Sequence, residues 1–149
     1  MAEIRVAVER VIAAAPERVY RYIADYRQHH GNWLPPEYSS YRAQAPGDDG
    51  ASDVFYHLKT GSRERDYHMR VTEPTPGRTV MERDTGSSLE KTWTVEPAGD
   101  KSRVRIETHW QGAGGIGGFF ERTFAPRVLS ALYAVELKRL DDYARQQAS

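Results

Sequence analysis

Gly112-Ala113-Gly114-Gly115-Ile116-Gly117-Gly118 stands between an alternating run that ends near Gln111 and a long amphipathic pattern that continues almost to Ser149. The stretch spells G-x-G-x-x-G at Gly112, Gly114 and Gly117, with a strand pattern before it and a helix pattern after it, the setting in which a dinucleotide fingerprint is sought. Such a unit needs a second parallel strand after the helix, ending in an acidic residue that holds the ribose. Here only Gln146 to Ser149 follow, and Glu136 falls inside the helix pattern. The glycines read instead as conformational freedom: they permit φ > 0 and a sharp turn from sheet to helix. The chain closes as last strand, glycine loop, long helix.

Downstream of the loop, Phe120, Phe124, Val128, Ala131, Leu132, Val135 and Leu140 form a wide apolar stripe, broadened by Leu129, Tyr133 and Leu137. Such a stripe needs a large apolar partner. Pro126 lies within its second turn, so a helix starting near Pro126 after a looser lead-in is an alternative. Upstream, Ile4, Val6 and Val8 alternate with polar residues as a half-buried strand does, over about residues 3–12. Pro16 then opens a short helix of about residues 16–26, and Arg27 to Pro36 reads as a second brief helical turn ended by Gly31 and Pro35-Pro36. Six strand-like runs follow, near about 38–45, 53–59, 63–73, 78–85, 88–96 and 102–111, separated by short turns that imply antiparallel neighbours.

Opposite charges favour facing positions, which tests the register. A two-residue turn at Thr60-Gly61 puts His57 opposite Glu64. A tight turn at Gly86-Ser87 puts Arg83 opposite Glu90 and Glu82 opposite Lys91. The next hairpin puts Glu96 opposite Arg103 and Val95 opposite Val104. This register sends Leu89, Trp93, Val95, Val104, Ile106, Trp110, Val54, Tyr56, Leu58, Tyr67, Met69 and Val71 to a covered face. Arg70, Thr72, Thr92, Thr94, Arg103, Arg105 and Glu107 go to the solvated face.

With 149 residues the chain is expected to form one domain, residues 1–149. Lys+Arg and Asp+Glu number 21 each, so no basic excess points to nucleic acid or to anionic membranes. Cysteine is absent, which removes disulfides, thiol nucleophiles and thiolate metal sites. No stretch approaches the roughly 20 apolar residues that span a bilayer, so stable membrane insertion is not expected and a cytoplasmic location is.

The order of strand, two short helices, six antiparallel strands and long helix resembles the START-like (SRPBCC) helix-grip superfamily, in its polyketide cyclase/dehydrase and lipid transport branch. The resemblance covers essentially the whole chain. It is carried by IRVAVERVIAAAPERVYRYIADY from Ile4, WLPP at 33–36, RVTEPTPGR at 70–78, TWTVEP at 92–97 and SRVRIETHWQGAGGIGGFFERTFAPRVL at 102–129. It implies an α+β fold in which a curved seven-stranded antiparallel sheet wraps the C-terminal helix and leaves a cavity for a small hydrophobic ligand. It implies no universal catalytic residue, so function rests on the site.

The register also puts Arg63, Arg65, Glu82, Asp84 and Lys91 on the covered face, and ionisable groups are seldom buried without a partner or a task. Two readings stand. In one, these charges line a polar end of the cavity, with Tyr56, Arg65, Tyr67, Met69, Glu82, Asp84, Lys91, Trp93, Trp110, Phe120 and Phe124 as the ligand-binding set. In the other, the strand ends curl into solvent and the charges form rim salt bridges. His29-His30 reads as a solvated turn and a poor chelate, His57, His68 and His109 fall on the outer face, and no G-x-S-x-G accompanies any serine, so neither a metal nor a serine triad is expected. The leading reading is a binding or transport protein for a lipid-like or polyketide-like molecule, without cofactor, with room for a homodimer. A cyclase or dehydratase using Tyr67, Glu82 or Lys91 for proton transfer is the alternative, and a protein-interaction module the third.

Overall fold

The computed structural model describes the backbone of residues 3–112 and 115–147 and the side chains of 3–112 and 125–147. Seven antiparallel strands form one curved sheet. They are β1 (Glu3–Ile12), β2 (Tyr38–Ala43), β3 (Ser52–Thr60), β4 (Arg63–Thr75), β5 (Thr79–Asp84), β6 (Glu90–Ala98) and β7 (Lys101–Gln111), and their spatial order is β1-β7-β6-β5-β4-β3-β2. Strands β2 to β7 are joined as successive hairpins, and β1 then pairs with β7, so the first and second strands occupy opposite edges. The helix α1 (Pro16–Ala24) and a short 3-10 turn at His30–Asn32 carry the chain between those edges. The second brief helical segment is thus a single tight turn.

Local chemistry explains the ends of these elements. Pro16 begins α1, where its missing N–H costs nothing. Asp25 ends it, its Oδ1 accepting from the Gln28 amide at 2.9 Å. The β6–β7 turn uses Gly99 at φ 66°, and the β3–β4 turn uses Gly61 at φ 62°, both in the left-handed region that favours glycine. That second turn is centred on Gly61 and Ser62, pairing Thr60 with Arg63 and His57 with Asp66. The expected pairing of His57 with Glu64 is therefore off by two residues. A two-residue shift preserves every face, because side chains alternate with period two. The expected pairs Glu82–Lys91, Arg83–Glu90, Val95–Val104 and Glu96–Arg103 are all present.

The glycine stretch differs from its reading in part. The helix α2 (Gly115–Gln146) begins at Gly115 and runs through Pro126, so Gly115 and Gly117 belong to helix and the late start near Pro126 does not occur. Ala113 and Gly114, and the Phe120 and Phe124 side chains of the stripe, lie outside the described residues. Farther along α2, Leu132, Tyr133, Glu136, Leu137, Leu140 and Ala144 are buried, whereas Val128 (41% exposed), Val135 (45%) and Ala131 are exposed. The helix is rotated from the purely apolar reading: Glu136 takes the inner place in preference to its neighbour Val135. The reason is a cationic partner waiting on the sheet. Among the described residues no helix is long and apolar enough to cross a membrane.

One core joins the inner face of the sheet to α1 and α2, built from Val54, Met69, Val80, Trp93, Val104, Ile106, Leu137 and Leu140 among others. Trp93 and Ile106 are fully buried and face each other across β6 and β7. Each large side chain buried in this way contributes roughly 1.5–3 kcal/mol.

Candidate functional site

Alternation along β5 turns Val80, Glu82 and Asp84 inward, and alternation along β6 does the same for Lys91, Trp93 and Val95. Glu82 and Lys91 sit opposite each other in the ladder, but the ammonium bonds elsewhere. Lys91 Nζ donates to Glu136 Oε1 at 3.1 Å and lies 3.4 Å from the Tyr38 hydroxyl, which itself donates to Glu136 Oε2 at 2.9 Å. The rings of Tyr133 and Trp93 lie 4.6 and 4.8 Å from the ammonium. Glu82 is satisfied separately, its Oε2 accepting from Tyr26 OH at 2.8 Å and from Trp93 Nε1 at 2.9 Å. Thr108 Oγ1 and Tyr133 OH share a further bond of 2.7 Å. Among the described residues, no buried side-chain polar atom is left without a partner.

This cluster holds two buried carboxylates, Glu82 and Glu136, and one ammonium, Lys91. Burial works against the charge on Lys91, but Glu136 and Glu82 outweigh it and hold its pKa above the ordinary lysine value. Burial likewise pushes Glu82 up, yet Lys91, His30 and the Trp93 and Tyr26 donors bring it below the usual carboxylate value. Glu136 is raised by burial, which Lys91 and Tyr38 only partly offset. His30 is buried too, its Nδ1 donating to the Ile23 carbonyl at 2.7 Å and its ring stacked on Tyr26 at 4.0 Å. Burial lowers its pKa to about 4, so the ring is neutral at pH 7. The solvated-turn reading of His30 is thus corrected: the 3-10 turn swings it under the sheet, while its neighbour His29 bonds the Tyr143 hydroxyl at 2.7 Å.

Near this cluster, at the end of the sheet where α2 begins, lies a cavity of about 800 Å³. Its walls are the β3–β4 tip from Thr60 to Arg65, Leu58, Tyr67, the β5–β6 loop at Ser87, Ser88 and Leu89, Trp110 and Gln111, and Ala125, Val128 and Leu129 of α2. Tyr67 ties the two regions together, since it lines the cavity and its ring stacks on buried Tyr56 at 5.4 Å. Arg65 Nη2 is 2.7 Å from Asp84 Oδ2, and its guanidinium lies 4.4 Å from the Tyr67 ring centre. The same Asp84 accepts from Ser87 Oγ at 2.6 Å and the Gly86 amide at 3.0 Å, which holds the β5–β6 loop in place.

The structure divides the residues singled out in the sequence into groups. Arg65, Tyr67 and Trp110 line the cavity, together with Arg63. Tyr56, Met69, Glu82, Asp84, Lys91 and Trp93 are buried and do not line it. Phe120 and Phe124 lie outside the described side chains. Sequence reasoning assigned none of Glu136, His30, Tyr26, Tyr38, Tyr133 and Thr108 to the site. A signal for Glu136 was present: it stands four residues from both Leu132 and Leu140, on the same helical face. Of the histidine–carboxylate pairs on the outer face, His57 bonds Glu64 at 3.0 Å and Asp66 at 2.8 Å, and His109 lies 3.5 Å from Glu90. Among the described residues no group of three or more His, Asp or Glu is placed to hold a metal ion.

Residues 3–145 match the family model described as polyketide cyclase / dehydrase and lipid transport. Among solved structures, the chain is similar to the KanY protein, seen in an NMR solution structure, at 36% identity and TM-score 0.83, covering 97% of this chain and 99% of that one. The Zhui aromatase/cyclase from Streptomyces sp. R1128 superposes at TM-score 0.82 and 13% identity over 99% of this chain and 97% of that one. A START superfamily protein from Mycobacterium smegmatis does so at TM-score 0.76 and 14% identity over 95% and 97%. The last two likenesses are of fold alone. No curated protein gives a significant match.

Proposed function

Since the chain belongs to the polyketide cyclase/dehydrase and lipid transport family, we propose that it binds a small amphipathic molecule, lipid-like or polyketide-like, in the cavity between the sheet and α2. The observation that carries this reading is the cavity itself: about 800 Å³, with Leu58, Leu89, Trp110, Val128 and Leu129 as apolar walls and a polar rim at the β3–β4 tip. That volume lies in the range of sites for organic ligands. Catalysis by Glu82 or Lys91 is disfavoured, because both are buried away from the cavity and committed to Tyr26, Trp93 and Glu136. One observation favours the second reading, a cyclase or dehydratase: Tyr67 does line the cavity, with the Arg65 guanidinium over its ring. On either reading the protein works as a cytoplasmic binder of a small molecule, and no step requires a cofactor.

The test is a panel of lipids, aromatic polyketides and sterol-like compounds, scored by melting temperature and by tryptophan fluorescence. A ligand that binds only the folded state raises the melting temperature by mass action. Trp110 lines the cavity, whereas Trp33 and Trp93 are buried, so Trp110→Phe should remove the ligand-dependent part of the fluorescence. Recovery of the compound unchanged after long incubation supports binding. Conversion that stops in Tyr67→Phe with binding retained would establish the enzyme instead, and a panel without response refutes both.

A further inference from the structure

At the tip of the β3–β4 hairpin the sequence Arg63-Glu64-Arg65-Asp66 alternates in charge, and a strand sends alternate side chains to opposite faces. The fold sorts these charges by sign. Arg63 and Arg65 share the face that carries Tyr67 and line the cavity. Glu64 and Asp66 share the other face, where both carboxylates bond the His57 ring, at 3.0 and 2.8 Å. Although Glu64 also borders the rim, its carboxylate is engaged outside it.

The acid facing these arginines is Asp84, and it is shared. Its oxygens already accept from Ser87 Oγ, the Gly86 amide and Arg65 Nη2. A guanidinium carries five N–H donors in a planar fork, so one contact with Asp84 leaves Arg65 with donors to spare. Stacking over Tyr67 and the bond to Asp84 fix the orientation of that fork before any ligand arrives. Arg63, two residues nearer the tip, makes no ion pair with any described residue. Ser62, Ser88 and Gln111 add neutral hydrogen-bonding groups to the same rim. The opposite wall, from Leu89 and Trp110 to Leu129, is apolar.

From this arrangement we infer that the ligand is an organic anion: an apolar or aromatic body seated against Leu89, Trp110 and Leu129, with a carboxylate held at the rim by Arg63 and Arg65. The inference rests on the binding reading above and narrows it from any amphipath to an acid. A guanidinium fork matches a carboxylate in plane and gives charge-assisted hydrogen bonds, which an alcohol of the same length does not receive. Arg65 keeps its link to Asp84 while a free edge of its fork meets the ligand, so binding leaves no buried charge unpaired.

Three twelve-carbon probes separate the claims: dodecanoate, dodecanol and dodecylamine, titrated below their aggregation limits and followed by Trp110 fluorescence and calorimetry. The expected order is dodecanoate about tenfold or more tighter than dodecanol, with dodecylamine weakest, from the gain of a hydrogen bond to a charged group. Arg63→Gln should remove most of that margin without changing dodecanol affinity, and Arg65→Lys should reduce it while keeping a cation beside Asp84. Arg83→Gln, on the outer face, should alter neither. Melting curves of each variant confirm that it is folded. Equal binding of dodecanoate and dodecanol, or tighter binding of dodecylamine, would overturn the anion site and leave the cavity reading standing. Failure of all three probes to bind would overturn both.

Discussion

Replacing Lys91 by methionine keeps an unbranched stem of similar length and removes the ammonium that Glu136 and Glu82 share. Glu136 would retain Tyr38 as a donor and lose its 3.1 Å cationic partner, in a side chain that is fully buried. Breaking one half of a buried ion pair typically costs about 3–5 kcal/mol, since the remaining charge is desolvated without compensation. For a chain of this size that corresponds to a fall in melting temperature of about 6–20 °C. The double variant Lys91→Met/Glu136→Leu should lose less than the two single variants combined, with a coupling of about 1–3 kcal/mol. The pH dependence has a definite sign. Without the ammonium, both buried carboxyls acquire folded-state pKa values above their unfolded ones, so the native state binds more protons and stability rises as pH falls. The gap between Lys91→Met and the parent should therefore narrow from pH 7.5 to pH 5.5. Urea unfolding across that range measures it, with Arg83→Gln as control. Arg83 also pairs with a carboxylate, Glu90 at 2.7 Å, but is 65% exposed, so its loss should cost below about 1 kcal/mol. A loss in Lys91→Met no larger than in the control, or a gap independent of pH, would refute the buried-network argument.

His30 supplies a second pH signature: its folded pKa of about 4 lies below the ordinary histidine value of 6.5, so the unfolded state binds the extra proton and stability falls as pH drops from about 6.5 towards 4. The loss approaches about 3 kcal/mol, and His30→Phe should flatten that part of the curve; parallel curves for parent and variant would contradict the assignment. Gly31→Ala should destabilise by about 1–3 kcal/mol, because a Cβ there would come within 2.7 Å of the Tyr41 ring, and an unchanged melting temperature would mean that the ring yields freely. Trp93→Phe should cost about 1–3 kcal/mol beyond its lost volume, since Glu82 loses a 2.9 Å donor in a buried site, and a smaller loss would show that Tyr26 suffices.

Much of the sheet was legible because its signals are local. Alternation placed Trp93, Val95, Val104 and Ile106 inward, and facing charges at Arg83–Glu90 and Glu96–Arg103 fixed two hairpins. The β3–β4 hairpin slipped by two residues because glycine at φ > 0 suits either of two neighbouring turn positions, and the alternation does not distinguish them. The helix face was harder to read. An apolar count favours Val128 and Val135, and only knowledge that Lys91 needs a partner brings Glu136 inward. His30 escaped for a related reason: adjacent histidines in a short turn look solvated until the packing of Tyr26, Trp33 and Trp93 around one of them is known. The candidate site was legible as a set of inward charges, Arg65, Glu82, Asp84 and Lys91. Its division into a cavity rim and a buried network depends on how far each strand extends beyond its neighbour, which periodicity does not encode.

The space between the sheet and α2 is where we propose that a small amphipathic ligand sits. The most direct measurement is amide chemical-shift mapping of the isotope-labelled protein, titrated with the tightest compound of the panel. Saturable shifts are expected, concentrated at Leu58, Arg65, Tyr67, Leu89, Trp110 and Leu129, with little change at Arg83, Thr94 and Arg103 on the outer face. Shifts centred on the outer face, or none at ligand concentrations that raise the melting temperature, would contradict it.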